Sequence, residues 1–277
     1  MYTTKYHKAS DAANAASLLG ASPEAKILAG GQTLIPTMKQ RLAAPTDLID
    51  ISGIAELRGV TIEARKKLGV LKAKGGETIT IGAATTHYEV ANNADLAAAC
   101  PAITGLAANI GDPAVRHRGT IGGSIANNDP AADYPAALLA LGATIHTTSR
   151  DISADDFFTG MFSTALNDGE VIKSVSFQAP AAAGYGKFPV PASRYAMVGV
   201  FVAKSIDGDV RVSVTGAGDD GVFRHAGLES ALTSDWSPAS AAGVNVGAEG
   251  LLSDIHGNAA YRANLIGVMA KRAVESA

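Results

Sequence analysis

Two glycine-containing segments constrain the fold of this chain more than any other feature of its sequence. Residues 119–130 read GTIGGSIANNDP, and residues 29–33, about ninety positions earlier, read AGGQT. Glycine has no Cβ atom, so it tolerates positive φ angles and lets a ligand approach the main chain closely. Successive main-chain N–H groups in such turns form an anion-binding site. Each Gly-Gly pair alone is equally well explained as a tight turn, but together the segments suggest two halves of one diphosphate-binding site.

The residues around each segment predict a strand before it and a helix after it. Residues 25–29 are predicted as a strand and residues 34–42 as a helix, which places the first loop at a helix N-terminus. Asp129 followed by Pro130 is typical of a helix start, so a helix is predicted over residues 131–141. Asp133 lies in its first turn. The sequence leaves open whether Asp133 only complements the helix dipole or contacts a ribose or flavin group.

Standard nucleotide and metal motifs are missing from the sequence. It has no Gly-x-x-x-x-Gly-Lys-Ser/Thr segment, and no Gly-x-Gly-x-x-Gly segment opens a strand–helix–strand unit. None of the six histidines has a partner at metal-ligand spacing. His117 lies beside the second segment, where it is either a phosphate neighbour, a covalent flavin attachment point or, as the pattern favours, a surface residue.

Composition and charge exclude several classes of function. The 277 residues suffice for two compact lobes, and 47% of them are hydrophobic, as is typical of a folded globular protein. The net charge of −3 gives no basic surface for nucleic acid. Cys100 is the only cysteine, so the chain forms no internal disulfide and cannot ligate an iron–sulfur cluster. With no apolar run near ~20 residues, we expect a cytoplasmic protein without a membrane span or signal segment.

The order of predicted elements divides the chain into two domains. A first domain is predicted over residues 1–178, with subdomains 1–56 and 57–178, and a C-terminal domain over residues 186–277, joined by a linker at residues 180–186. A surface hairpin at Lys66–Gly76 is predicted as an insertion. In the C-terminal domain we predict a hairpin of residues 196–205 and 210–215, a helix within residues 238–252, and a last helix over residues 261–274.

The two glycine segments resemble those of a known family, whose FAD-binding domain corresponds to residues 1–178. AGGQT, followed by Leu34, Pro36 and Met38-Lys39, resembles the first flavin motif of the FAD-carrying medium subunits of molybdenum hydroxylases. TIGGS at residues 120–124, with Asp133 downstream, resembles the second. The resemblance extends through TGAG at residues 215–218 and YRA at residues 261–263. It implies an α+β fold of the p-cresol methylhydroxylase type, with two α+β subdomains and a C-terminal antiparallel sheet with helices.

The resemblance also implies a non-covalent FAD site. Residues 27–34 would line the diphosphate with main-chain N–H groups, and residues 120–124 would close its other side. Residues 110–111 would lie near the isoalloxazine or adenosine, with an apolar ring contact at position 172 and polar groups at positions 133 and 187. Tyr185 or Tyr195 would cover a ring face. The implied cofactor-binding residues are Ile27, Leu28, Ala29, Gly30, Gly31, Gln32, Thr33, Leu34, Ile110, Gly111, Thr120, Ile121, Gly122, Gly123, Ser124, Ala126, Asp133, Ile172 and Lys187.

Two of these positions carry a particular expectation. A lysine near the pyrimidine edge of a flavin stabilises negative charge on the reduced ring, whereas the residues alone would make Lys187 a solvated linker residue. Ser124 stands where the family motif commonly has asparagine.

The function implied by the resemblance is electron transfer without a catalytic or metal-binding residue in this chain. A small subunit with two [2Fe-2S] clusters and a large molybdopterin subunit would complete a dimer of heterotrimers. Electrons would pass from the substrate through molybdenum and the clusters to FAD, and then to an external acceptor. Two alternatives remain at this stage, a self-contained flavin oxidase of the same fold and a non-catalytic nucleotide-binding module. The sequence specifies neither the substrate nor the acceptor.

Overall fold

The computed structural model describes residues 1–64 and 76–277. The hairpin predicted at Lys66–Gly76 therefore lies, apart from Gly76, outside the described residues. The described chain contains sheets of three, five and four strands and a further two-stranded ladder. None of its described helices is long and apolar enough to cross a membrane. The predicted α+β class is confirmed.

The first sheet is small and parallel. Its strands lie in the order β1-β3-β2, and Ile27 pairs with Ile49. The hydrophobic core around this sheet includes three fully buried residues, Ala15, Ile49 and Leu57. The elements are β1 Lys5–Lys8, α1 Ala12–Gly20, β2 Lys26–Leu28, α2 Leu34–Lys39, β3 Asp47–Asp50 and a short 3-10 helix, Ala55–Leu57.

The second sheet is antiparallel and carries most of the helices. The elements are β4 Val60–Ala64, β5 Glu77–Gly82, α3 His87–Ala91, α4 Ala94–Ala99, α5 Pro101–Ala108, α6 Pro113–Arg116, α7 Ile121–Asn127, α8 Tyr134–Ala140, β6 Thr144–Thr147, β7 Asp151–Ser153, α9 Ala154–Phe157, β8 Phe158–Gly160, β9 Ser163–Thr164 and β10 Ile172–Gln178. Strands β4-β5-β10-β6-β7 form the sheet, and β8 pairs with β9. The large buried side chains of Ile81, Ile103 and Tyr134 belong to one continuous core beneath it.

The third sheet is antiparallel and is covered by the last helix. The elements are β11 Ala182–Pro189, β12 Ala196–Lys204, β13 Val210–Thr215, β14 Phe223–Arg224, α10 Ala226–Ser234, α11 Pro238–Ala242 and α12 Ala259–Glu275. The strands follow one another in the sheet, so the predicted hairpin of β12 and β13 is confirmed. The predicted last helix is confirmed as α12, which buries Leu265 and Met269 against this sheet.

Three local predictions are wrong. The second glycine segment is helix α7 rather than a loop, it follows helix α6 rather than a strand, and the next helix begins at Tyr134 instead of residue 131. Most of the predicted linker, residues 182–186, is the first half of β11. The helix predicted within residues 238–252 covers only Pro238–Ala242.

Glycines explain why the linker prediction fails. Gly184 and Gly186 make the sequence of β11 resemble that of a flexible linker. In the structure they allow close packing, because a Cβ atom at Gly186 would lie only 3.1 Å from the carbonyl carbon of Met269 in α12. Close helix–sheet packing therefore requires small residues in this strand.

Candidate functional site

The first glycine segment carries a row of main-chain donors that have no partner in the described chain. The loop leaves the sheet after β2, where the carbonyl of Leu28 still accepts a hydrogen bond from Ile51. No described residue accepts a hydrogen bond from the N–H groups of residues 30–34. Gly31 has a φ of +71°, a left-handed conformation that glycine adopts without strain. These residues are half-buried or exposed and lead into the start of α2, so their successive N–H groups are accessible to a ligand and have the chemistry of a phosphate-binding turn.

The two glycine segments lie against each other. A Cβ atom at Gly30 would lie 2.6 Å from the carbonyl carbon of Arg118 and 2.7 Å from the Cα of Gly119. Gly123 is exposed, and a Cβ atom there would lie 3.9 Å from the Cβ of Ala29. Segments ninety or so residues apart in sequence thus border the same surface, and glycine at position 30 is what allows them to approach.

The second segment differs because its N–H groups are already bonded inside the chain. They donate as follows: Ile121 to the Thr85 carbonyl at 3.2 Å, Gly122 to the Ala83 carbonyl at 2.9 Å, Gly123 to the Thr120 hydroxyl at 3.1 Å, and Ser124 to the Thr120 carbonyl at 3.0 Å. Thr120 is the N-cap of α7. Helix α7 therefore has no second row of free donors. It borders the first loop with an exposed surface that includes Gly123 and Ala126.

Asn127 also lies on this surface, although it is not among the site residues predicted from the sequence. It lies one helical turn after Gly123 and forms no side-chain hydrogen bond with the described residues. Its spacing from Gly123 becomes informative only when the segment is known to be helical. The helix then ends at Asn128, whose left-handed backbone is fixed by side-chain hydrogen bonds of 2.8 Å to the carbonyls of Gly160 and Ser163.

Asp133 and Lys187 form a buried ion pair beside α7. Lys187 Nζ lies 2.9 Å from Asp133 Oδ1, and the two side chains are only 7% and 5% exposed. The Tyr185 hydroxyl donates to the same carboxylate at 2.5 Å. Burial raises the pKa of Asp133, while the ammonium of Lys187 and the Tyr185 hydroxyl oppose the rise. A buried charge is retained in this way only when it is paired and hydrogen-bonded.

Lys187 also connects the pair to the turn that contains Ile110 and Gly111. Its Nζ donates to the carbonyl of Asn109 at 3.1 Å. The structure thus brings four predicted site residues together at this end of the site. Tyr185 is occupied by Asp133, whereas Tyr195 is 47% exposed on the turn between β11 and β12.

The C-terminal domain holds the segment that leads from α7 to Asp133. The Thr215 hydroxyl donates to the carbonyls of Pro130 and Ala132, at 3.0 and 2.6 Å. The Gly216 N–H donates to Pro130 as well, at 2.8 Å. The buried guanidinium of Arg262 in turn donates to the Gly216 carbonyl at 2.6 Å. The TGAG and YRA segments therefore meet, and they position the turn before Asp133.

The remaining predicted residues lie at the margins. Ile172 is 5% exposed in the core, and the next residue, Lys173, accepts a hydrogen bond from Ala83, the residue on which Gly122 packs. His117 is exposed and stacks on Tyr88, with ring centroids 4.0 Å apart. Burial raises the pKa of the Cys100 thiol to about 11, so this cysteine stays protonated and unreactive. The described residues contain no cluster of metal-ligating side chains.

Comparisons with known proteins identify the family of the chain. Residues 2–180 match the family model described as the FAD binding domain in molybdopterin dehydrogenase. The carbon monoxide dehydrogenase medium chain of Hydrogenophaga pseudoflava is 33% identical over 291 residues, which cover 99% of this chain and 96% of that protein. The nicotine 6-hydroxylase medium subunit of Paenarthrobacter nicotinovorans is 33% identical over 286 residues, with the same coverage of 99% and 96%.

Solved structures give the same result. Quinoline 2-oxidoreductase from Pseudomonas putida 86 superposes with a TM-score of 0.83 at 28% identity, covering 99% of this chain and 96% of that one. The Cu,Mo-CO dehydrogenase superposes with a TM-score of 0.82 at 30% identity, covering 100% and 98%. The chain therefore belongs to the family of FAD-binding medium subunits of molybdenum-containing hydroxylases and dehydrogenases, and it is a component of an oxidoreductase.

Proposed function

We propose that this chain holds FAD non-covalently and passes electrons from the [2Fe-2S] clusters of a partner subunit to an external acceptor. The observation that carries the proposal is the row of unbonded N–H groups at residues 30–34, which borders the exposed side of α7 at Gly123. Such donors fit a diphosphate, and a buried charged pair fits the polar edge of a flavin ring. FAD supplies the reversible oxidation and reduction that this role requires.

Each part of the site has a distinct task in this proposal. The N–H groups of residues 30–34 hold the diphosphate, with residues 27–29 beside them, while Thr120 and the surface of α7 close the opposite side. Residues 110–111 and Ile172 border the ring. Lys187 places a positive charge at the pyrimidine edge, and Asp133 keeps its ammonium in position. Tyr195, which is exposed next to this pair, is assigned to a ring face.

The proposed partners are a small [2Fe-2S] subunit and a large molybdopterin subunit, assembled as a dimer of heterotrimers. The support is similarity over 99% of the chain to proteins named as medium subunits, one of them from a carbon monoxide dehydrogenase. A further structural relative is described as a carbon monoxide dehydrogenase that lacks the Mo-pyranopterin moiety of its cofactor. With one cysteine, this chain depends on a partner for iron–sulfur ligands. A reducing cytoplasm suits its single buried thiol.

Two measurements test the proposal. First, the purified chain titrated with FAD is expected to show flavin absorption bands from bound cofactor, and their absence would reject the flavoprotein reading. Second, native mass spectrometry after co-expression with the neighbouring reading frames is expected to show iron–sulfur and molybdopterin subunits. A chain that oxidises a substrate without partners would support the alternative, a self-contained flavin oxidase.

Lys187 gives a sharper prediction within the same proposal. Replacement of Lys187 by methionine removes the positive charge beside the ring, so the midpoint potential of bound FAD is expected to fall, as spectroelectrochemistry measures. Lys187→Arg keeps the charge and serves as the control. An unchanged potential in Lys187→Met, with FAD still bound, would place the ammonium away from the flavin.

A further inference from the structure

Three cationic side chains converge on the carbonyl oxygens of residues 109–111. The contacts are Arg116 Nη1 to the Ile110 and Gly111 oxygens, both at 2.9 Å, Arg194 Nη1 to the same Gly111 oxygen at 3.2 Å, and Lys187 Nζ to the Asn109 oxygen at 3.1 Å. Because both guanidinium groups reach one oxygen atom, their contacting nitrogens are no more than about 6 Å apart. Like charges at this separation repel each other, and a bound anion would offset that repulsion.

The charges of the two arginines are not balanced by the described chain. Asp133 is paired with Lys187, but no described carboxylate lies within 4.0 Å of Arg116 or Arg194. Asp112, the nearest acidic residue in sequence, instead caps α6 by accepting a hydrogen bond from the Val115 N–H at 2.8 Å. The cluster is therefore a net positive site whose counter-ion must come from outside these residues.

Arg194 reaches this cluster from the tight turn between β11 and β12. Arg194 has a φ of 61°, a left-handed conformation that costs energy in a residue with a Cβ atom. The turn between β11 and β12 enforces it, because Arg194 N–H donates to the Val190 carbonyl and Val190 N–H donates to that of Tyr195, both at 2.8 Å. Strain of this kind is typical of functional positions, and the exposed Arg194 stays accessible from solvent.

We propose that Arg116 and Arg194 bind the anionic group of a small external electron acceptor at the open edge of the flavin site. Two guanidinium groups offer several N–H donors to a phosphate-type anion, and they also raise the local concentration of anionic acceptors. The inference rests on the proposed function, because an acceptor is needed only if the chain holds FAD. It adds the chemical class of that acceptor, a compact anion, and the residues that recognise it.

The first test measures anion binding at equilibrium. Inorganic pyrophosphate is titrated calorimetrically into the FAD-loaded chain at low salt, so that FAD already occupies the loop at residues 30–34. The double variant Arg116→Gln/Arg194→Gln is expected to bind pyrophosphate at least about tenfold more weakly than the wild type. Arg41→Gln is the matched control, because Arg41 is also exposed and also has a φ of 61°.

The second test compares charged and neutral acceptors. Photoreduced FAD in the chain delivers two electrons either to two ferricyanide ions, with its protons passing to solvent, or with two protons to one neutral quinone. The double variant is expected to slow reoxidation by ferricyanide about tenfold more than reoxidation by quinone, and to lose the salt dependence of the ferricyanide rate.

Each contrary outcome has a separate meaning. A chain without flavin bands after loading contradicts the proposed function itself. Equal pyrophosphate affinity in wild type and double variant overturns the anion site, as does equal slowing of both acceptors, because the arginines would then only hold the turn at residues 109–111. A wild-type chain that binds no pyrophosphate also overturns the proposal.

Discussion

The two glycine segments look alike in sequence but use glycine for different purposes. Residues 30–34 form an open loop whose N–H groups have no partner in the described chain. Residues 121–124 form the first turn of a helix whose N–H groups are all bonded internally. The first segment offers donors to a ligand, whereas the second offers a smooth surface placed against the first. A Gly-Gly pair in a sequence therefore does not by itself identify a phosphate-binding loop.

Neighbouring residues cause the difference. In the second segment, Thr120 caps the helix, and Gly122 packs so tightly that a Cβ atom there would lie 2.6 Å from the Cβ of Ala83. In the first segment, the left-handed Gly31 turns the chain away from its sheet, and no carbonyl lies in position to accept from the following residues. Glycine thus permits close packing in one segment and an unusual backbone in the other.

The largest effect is expected where the segments touch. In Gly30→Ala, the new methyl group would overlap the main chain of residues 118–119, so the two segments must move apart. We expect FAD affinity to fall at least a hundredfold, about 3 kcal/mol, as measured by FAD fluorescence quenching. Gly20→Ala is the control, because a Cβ atom at Gly20 meets no atom within 4 Å. Near-normal affinity in Gly30→Ala would contradict the contact.

Adjacent glycines in α7 separate packing from ligand contact. Gly122→Ala is expected to lower the free energy of unfolding by roughly 2–3 kcal/mol, because its methyl group would overlap Ala83. Gly123→Ala places its methyl group on the exposed face of α7, where its nearest neighbour is the Thr120 hydroxyl at 3.0 Å, so it should cost less stability than Gly122→Ala while weakening FAD binding. Urea unfolding and FAD titration measure the two effects. If both variants lost only stability, the outer face of α7 would not border the ligand.

His87 supports the start of the second segment and gives a pH dependence. The main-chain N–H of His87 donates to the Gly119 carbonyl at 2.9 Å. Burial of the imidazole and, second, the positive charge of Arg116 lower the pKa of His87 from 6.5 to about 4. The imidazole of the unfolded chain therefore takes up a proton at a higher pH than that of the folded chain. The stability that neutral His87 contributes is complete above pH 6.5 and is lost as the pH falls towards 4.

Between pH 7 and pH 5 this histidine should account for about 2 kcal/mol of lost stability. Urea unfolding at both pH values measures the loss, and His87→Gln removes the titrating group as a comparison. An equal loss of stability in wild type and His87→Gln would mean that the pKa of His87 does not differ between the folded and the unfolded chain.

Much of the fold was predictable because the local signals agree with the tertiary structure. Strand β2 lies within the predicted residues 25–29, and the β12–β13 hairpin follows from alternating apolar residues around Asp207 and Gly208. Helix α7 was not predictable, since glycine has low helix propensity and only packing against Ala83 makes it helical. The carboxylate of Asp129 was predicted to cap the next helix but accepts instead from Ala131, in the turn that precedes it.

The candidate site was predictable as a set of residues but not as a set of interactions. Asp133 and Lys187 are 54 residues apart in sequence, and no pattern indicates that they meet as a buried ion pair. The different roles of the two glycine segments could not be predicted either, because they depend on which carbonyl groups lie nearby in three dimensions. The two arginines that contact the Gly111 carbonyl likewise come from distant parts of the sequence, the end of α6 and the turn between β11 and β12.

Amide hydrogen exchange tests most directly the claim that one segment binds while the other packs. Without FAD, the N–H groups of residues 30–34 are expected to exchange rapidly and those of residues 121–124 slowly, because only the latter are bonded within the chain. Addition of FAD should slow exchange at residues 30–34 and leave residues 121–124 nearly unchanged. Rapid exchange at residues 121–124 that FAD suppresses, or exchange at residues 30–34 that FAD does not alter, would contradict this account.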